Sequence, residues 1–182
     1  MSVPQPWTAW FDATRAGAPH CFAQLATVGP DGARCRTLAV RERHGPELWF
    51  TTDQRSEKVI ELQRQTPQDA HPHAEACWYD LTSRTQWRFR GPVRFLLPEQ
   101  HPEDCQRLWE KLNDADRARF HGPPPGSLHQ TGLPKPGDGI AEDFSILVLR
   151  AEHVKVLELA DLPHRHWYYP GEGRVAPTRL MP

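Results

Sequence analysis

A mainly β (α+β) fold, a β-barrel with peripheral helices, is what this 182-residue sequence predicts. Strand-like segments recur with short turn sequences between them, and one of them, Thr85 to Leu97, alternates apolar and polar side chains. The helical segments fall between groups of strands, whereas a parallel sheet would need a helix between nearly every strand pair. No internal repeat with a period of roughly 20 to 50 residues points to a solenoid or propeller. The length suits one domain over residues 1–182.

Each element follows from its residues. Residues 5 to 15 (QPWTAWFDATR) place Trp7, Trp10 and Phe11 at helical spacing and predict a short amphipathic helix. Residues 20 to 29 and 34 to 43 are rich in β-forming side chains and flank Gly29-Pro30-Asp31-Gly32, a turn sequence, so they read as a hairpin. A second turn at His44-Gly45-Pro46 leads to a strand over Leu48 to Thr52. Asp53 then reads as a helix N-cap, with a helix over residues 54 to 65 that turns Val59 and Leu62 to one side. Residues 73 to 81 and 85 to 97 form two further strands; on the second, Trp87 and Phe89 face one way and Gln86, Arg88 and Arg90 the other. Trp87, Phe89, Cys77 and Trp78 read as barrel core, and Arg88 and Arg90 as a solvated face. A helix over Pro102 to Phe120 presents Leu108, Trp109 and Leu112. Residues 121–140 are rich in proline and glycine without periodicity and read as a loop or lid. Strands return at Phe144 to Arg150, Val154 to Leu159 and His166 to Tyr169.

Composition narrows the function classes. A formal charge of -1 provides no global field toward nucleic acid or an anionic membrane. Of 22 basic residues only four are lysine and 18 are arginine, the side chain suited to bidentate phosphate contacts. Cys21, Cys35, Cys77 and Cys105 form no C-x-x-C pair and read as reduced structural thiols. The ten histidines lack zinc-site spacing, so no metal is expected. No apolar run approaches the roughly 18 residues of a membrane span, and the expected location is the cytoplasm.

Three separated segments concentrate phosphate-type ligands. Arg36 opens R-T-L-A-V-R, Arg55-Ser56-Glu57-Lys58 lies at the start of the first predicted helix after the N-terminal segment, and Gln86 lies in T-Q-W-R-F-R-G. A helix N-terminus offers free N–H groups and a favourable dipole to an anion, and Arg, Ser and Lys beside it add charged or short donors. Singly, each such residue is ordinary surface chemistry. Their combination predicts a site for one phosphate.

Thr51-Thr52-Asp53-Gln54-Arg55-Ser56-Glu57-Lys58, preceded by Leu48-Trp49-Phe50, resembles the F-x-T-D-x-R-S-x-K signature of the pyridoxamine-phosphate-oxidase-like split barrels that bind flavin mononucleotide (FMN). Neighbouring blocks agree in order and spacing: Gln24 to Val28 with its P-D-G turn, Arg36-Thr37-Leu38, Ala76 to Tyr79, and Gln86 through Gly91. The Trp109 to Leu112 stretch, the proline-rich loop and the Phe144 to Leu149 strand are similar to the cyanobacterial-type subgroup of pyridoxamine-phosphate-oxidase-related FMN-binding domains.

The resemblance implies an FMN-binding split β-barrel in which Arg36, Ser56 and Lys58 hold the FMN phosphate, with Arg55 as a possible addition. It places Thr37, Leu38 and Thr51 beside the ribityl chain or ring, Gln86 at the flavin's polar edge from the partner subunit's side, and Arg165 near the ring. It implies a homodimer with FMN at the subunit interface, acting as an oxidoreductase on a small-molecule substrate, with no catalytic residue identified. Two departures concern that substrate: Asp161-Leu162-Pro163 stands where the pyridoxal-phosphate-forming enzymes carry R-x-H, and Leu157 replaces a flavin-contacting tryptophan. The alternatives are a non-catalytic flavin-storage or sensing module, or the same fold holding a deazaflavin or haem. A barrel binding single-stranded nucleic acid through Gln86 to Arg90 is a further reading, opposed by the near-neutral charge.

Overall fold

In the computed structural model, residues 21–65, 71–128, 132, 137–170 and 176–182 are described. The helix expected over residues 5 to 15 lies outside them. The first hairpin forms as its turn sequence requires: β1 (Cys21–Gly29) and β2 (Gly32–His44) pair antiparallel from Cys21↔Val40 to Gly29↔Gly32. Gly32 closes that turn with φ +128°, backbone that an L side chain rarely adopts. β3 (Glu47–Asp53) follows a second tight turn, and the remaining elements are α1 (Glu57–Arg64), β4 (His73–Asp80), β5 (Thr85–Leu96), α2 (Pro102–Glu110), α3 (Asp114–Phe120), β6 (Phe144–Arg150), β7 (His153–Glu158), β8 (Arg165–Pro170) and β9 (Thr178–Leu180).

Six strands close into a ring. The pairings run β1–β2–β3–β6–β5–β4 and back to β1, all antiparallel. β5 is long enough to serve two neighbours on one edge: Thr85 to Arg90 pair with β7, and Val93 to Leu96 pair with β6. Gly91 sits where it changes partner, and a Cβ there would lie 1.9 Å from the Arg150 carbonyl oxygen, so only glycine lets the two backbones approach. β8 and β9 extend the sheet beyond β7. This is the mainly β split barrel with peripheral helices that the sequence predicts.

The barrel interior is filled by Leu25, Phe50, Ala76, Phe89, Leu147 and Leu149 among others, each essentially inaccessible. Alternation on β5 holds: Trp87 and Phe89 point inward, while Arg88 and Arg90 are exposed. β6 reads as a continuous apolar run because both its faces are covered. Leu147 and Leu149 enter the barrel, whereas Phe144, Ile146 and Val148 pack against Cys105, Leu108, Trp109 and Leu112 of the α2 region. Cys77 is an exception to the expected core: it is only half-buried on the outer face of β4, the inward positions being Ala74 and Ala76. Trp78 is half-buried and packs against Trp87, with ring centroids 4.8 Å apart and planes tilted by 35°.

Three boundaries differ from expectation. The first helix begins three residues later than predicted, because Asp53 stays in β3 and Ser56 takes the N-cap position with extended backbone. The predicted helix over Pro102 to Phe120 is two helices. Asn113 interrupts it by accepting a hydrogen bond from the Asp116 amide at 2.8 Å, which starts a new N-terminus. β9 was not foreseen, being only three residues long.

The α2 helix is tied to the barrel through Glu42 of β2, a nearly buried carboxylate that accepts from Arg107, Lys111 and His44. Burial alone would raise its pKa, but these three donors outweigh it and hold the carboxyl down at about 2. A carboxylate whose folded pKa is depressed stabilises the fold above its ordinary range and loses that contribution as pH falls toward the folded value. Glu42→Gln is therefore expected to cost about 1–2 kcal/mol at neutral pH, a figure reduced for the exposure of Lys111 and His44. The difference from wild type should shrink between about pH 4.5 and 2, as read by urea denaturation across that window. A pH-independent deficit would show that shape, not charge, holds α2.

Candidate functional site

The barrel wall is open along one seam. β2 and β3 pair only from Val40↔Phe50 to His44↔Glu47, with a bulge between Val40 and Glu42. Beyond it, Arg36 to Ala39 pair with β1 alone and Thr51 to Asp53 pair with β6 alone. The two facing edges diverge, leaving peptide groups that no ladder uses. Arg41 is the bulged residue, and a bulge re-aims its side chain; its Nε donates to Thr51 Oγ1 across the opening at 3.3 Å.

At the end of this seam the structure brings Arg36, Ser56 and Lys58 together. Arg36 lies opposite the inward-facing Leu25, so its side chain points toward the barrel end covered by α1. There Nη2 donates to Glu61 at 2.8 Å, while Nη1 donates to Thr27 Oγ1 and, at 3.4 Å, to the Leu25 carbonyl. Glu61 is buried, accepts from Thr27 as well, and is held below the usual carboxylate range: burial would raise it, but Thr27 and Arg36 prevail. Ser56, also buried, donates to the Asp53 carbonyl at 2.7 Å and accepts from Lys58 Nζ at 2.9 Å. Among the described residues that hydroxyl is the hydrogen-bond partner of Lys58, and no carboxylate forms an ion pair with it. Burial, with the Arg36 charge nearby, pushes the Lys58 pKa down against the pull of Asp53 and Glu61.

The other expected ligands are placed differently. Arg55 is committed to protein partners: Asp53 at 2.7 Å, Asp143 at 3.0 Å, and the carbonyls of Phe120 at 3.2 Å and Gly122 at 3.0 Å. It braces the chain after α3 against the start of α1. Thr37 is exposed on the outer face, Leu38 packs partly on the core, and Thr51 is half-buried in the seam. A cavity of about 180 Å³ opens there, lined by Arg41, Thr51, Asp53, Lys58, Arg119 and Phe120. Asp116 pairs with Arg41 at 3.5 Å beside it. Arg41, Glu61 and the α3 residues were missed by sequence reasoning. Arg41 closes the R-T-L-A-V-R stretch, the one signal that could have found it; Asp116 and Arg119 look like any charged helix face.

Gln86 and Arg165 lie apart from this cluster and, in adjacent register rows, on opposite faces of the sheet. Gln86 pairs with Leu157, Leu157 with His166, and Arg165 lies opposite Glu158 at the same end of β8. β4 and β1 separate β5 from β2 around the ring. Arg165 is half-exposed and ion-paired to Glu158 at 2.7 Å and Asp161 at 3.8 Å. Among the described residues no group of three or more His, Cys, Asp or Glu is placed to hold a metal, and no helix is long and apolar enough to cross a membrane.

The residues fit a phosphate: a part-buried lysine that forms no ion pair among the described residues, a buried hydroxyl, an arginine fixed from behind, and the N-terminal end of α1. Comparison with known proteins bears on the family and the fold. The family model for the "Pyridoxamine 5'-phosphate oxidase, FMN-binding domain" matches residues 4–96. The crystal structure of a pyridoxamine 5'-phosphate oxidase-related, FMN binding protein from Nostoc punctiforme is 29% identical, covers 99% of this chain and 100% of its own, and superposes with a TM-score of 0.83. PhzG from Burkholderia lata, in complex with tetrahydrophenazine-1-carboxylic acid, shares the fold at 21% identity over 97% of this chain and 89% of its own, TM-score 0.71. So does a heme binding protein from Mycobacterium smegmatis, at 18% identity over 94% of this chain and 61% of its own, TM-score 0.55. No curated protein sequence matches the chain. With its signature on β3 and α1 and its seam between β2 and β3, the chain belongs to the pyridoxamine 5'-phosphate oxidase FMN-binding domain family.

Proposed function

We propose that the protein is a cytoplasmic FMN-dependent oxidoreductase acting on a small organic substrate as a homodimer, with its 182 residues forming one domain. The observation that carries this reading is Lys58, a part-buried ammonium beside the buried Ser56 hydroxyl that forms no ion pair with a carboxylate among the described residues. A phosphate supplies the missing charge. Bound FMN would supply a reversible acceptor for a hydride or for single electrons. The chain's own part is positional. Glu61 and Thr27 hold Arg36 from behind, so its remaining donors need no reorganisation to meet a phosphate. The free peptide edges at Thr37, Leu38 and Thr51 offer hydrogen bonds to the cofactor, and Arg55 keeps the loop after α3 over the seam.

One feature supports the dimer. Gln86 and Arg165, remote from the seam within one chain, would reach the flavin of the other. The free cysteines accord with a reducing compartment.

The purified protein is expected to be yellow, to release FMN as its chromophore, and to sediment as a dimer. A colourless protein whose melting temperature is unmoved by excess FMN would defeat the cofactor reading, since a ligand selective for the native state must stabilise it. Release of a haem or deazaflavin would replace FMN, and an FMN-loaded monomer would return Gln86 and Arg165 to structural roles.

A further inference from the structure

We infer that Asp116 of α3 is a specificity-determining residue of the seam, one that withholds the cavity's arginines from an anionic substrate and directs the site to small uncharged molecules. The inference rests on the FMN-dependent reading above and names the substrate class that goes with it.

Three cations, Arg41, Lys58 and Arg119, and two carboxylates, Asp53 and Asp116, line the seam cavity. Lys58 lies beside Ser56 in the phosphate cluster, and Asp53 pairs with Arg55 at 2.7 Å. What remains for a substrate is Arg41, Arg119 and Asp116. The bulge aims Arg41 across the opening, and Thr51 Oγ1 accepts from its Nε at 3.3 Å, so the two Nη groups form the end that a ligand would meet. Asp116 Oδ2 lies 3.5 Å from Arg41 Nη2, and Asp116 Oδ1 lies 3.4 Å from Arg119 Nη1. One carboxylate is thus shared by both guanidinium groups. Its pair with Arg41 is the more shielded, since the Arg41 side chain is 19% exposed and that of Arg119 70%. A part-buried pair is screened less than a surface pair. An anionic substrate would have to displace Asp116 from Arg41 and would meet its negative charge; an uncharged molecule meets neither obstacle. Phe120 and Pro125 supply apolar lining. Phe120 is fixed edge-on by Trp109 and Phe144, with ring centroids 5.6 and 5.1 Å away, and suits an apolar ring or chain.

The ordinary reading of Asp116 is a part of the helix cap. Its amide donates to Asn113 Oδ1 at 2.8 Å, and its Oδ2 accepts from Asn113 Nδ2 at 3.3 Å. The first bond is made by the backbone, and the second needs only an acceptor oxygen. Asparagine at position 116 retains both and removes the charge, so capping and specificity separate in one substitution.

The test uses the full chain with FMN bound, its loading read from flavin absorbance, and titrates phenyl phosphate and benzyl alcohol while following the flavin spectrum. Wild type should respond to benzyl alcohol. Asp116→Asn should bind phenyl phosphate at least about tenfold more tightly than wild type, the value of one charge-assisted bond, with benzyl alcohol changed less than about twofold. Asp116→Glu should keep the wild-type preference, and Asp116→Asn/Arg41→Gln should lose the gain. The inference is overturned if wild type binds phenyl phosphate as tightly as Asp116→Asn, if both ligands change in parallel, if the double variant keeps the gain, or if neither ligand perturbs the flavin of any variant. Each of these outcomes, in flavin-loaded protein, leaves the cofactor reading standing. A protein that takes no FMN overturns that reading and this inference with it.

Discussion

With FMN bound, the protein should oxidise pyridoxamine phosphate about a thousandfold less efficiently than a family member carrying the R-x-H pair. The substrate's phosphate needs charged donors over the flavin, and the corresponding segment here offers Asp161, Leu162 and Pro163, all solvent-exposed, with Leu162 at 83%. Proline contributes no backbone N–H, and Asp161 brings a charge of the wrong sign. Arg165, the arginine that follows this segment, already pairs with Glu158 and Asp161. Losing two charge-assisted bonds of about 1.5 to 3 kcal/mol each accounts for a deficit of that order. Steady-state assays with pyridoxamine phosphate and pyridoxine phosphate measure it, and Asp161→Arg/Pro163→His should raise kcat/KM while leaving FMN affinity alone. Turnover at ordinary enzyme rates with low-micromolar half-saturation would restore the full family activity.

Lys58→Ala and Arg36→Ala should each weaken FMN binding about ten- to a hundredfold, the value of one charge-assisted hydrogen bond, but with different effects on the fold. Among the described residues Lys58 donates to Ser56 and forms no ion pair, so its loss should leave unfolding free energy nearly unchanged. Arg36 is the counter-ion of Glu61, whose side chain is 7% exposed, and removing one partner of a buried pair costs about 3–5 kcal/mol. Arg36→Ala/Glu61→Gln should recover most of that stability and none of the affinity. Glu57→Ala, at an exposed position in the first turn of α1, should change neither. Flavin-fluorescence titration and urea denaturation read the two quantities separately. Equal affinity losses at positions 36, 57 and 58 would refute the assignment of the phosphate site.

What the sequence determined by itself was local. Alternation on β5 separates Trp87 and Phe89 from Gln86, Arg88 and Arg90; Gly32 and Gly45 punctuate the hairpins; and the T-D-Q-R-S-E-K run identifies the family. Those signals are readable because turn chemistry and side-chain period act within a few residues. The tertiary structure decided which donors are free. Arg36 and Arg55 look equally available in the chain, yet Arg36 meets a carboxylate 25 residues away on α1 and keeps part of its fork open, while Arg55 is consumed by carbonyls 65 and 67 residues away and by two aspartates. The seam was likewise invisible in sequence. It exists because a single bulge at Arg41 sends β2 toward β1 and β3 toward β6, a difference of register between strands that no spacing within either strand encodes.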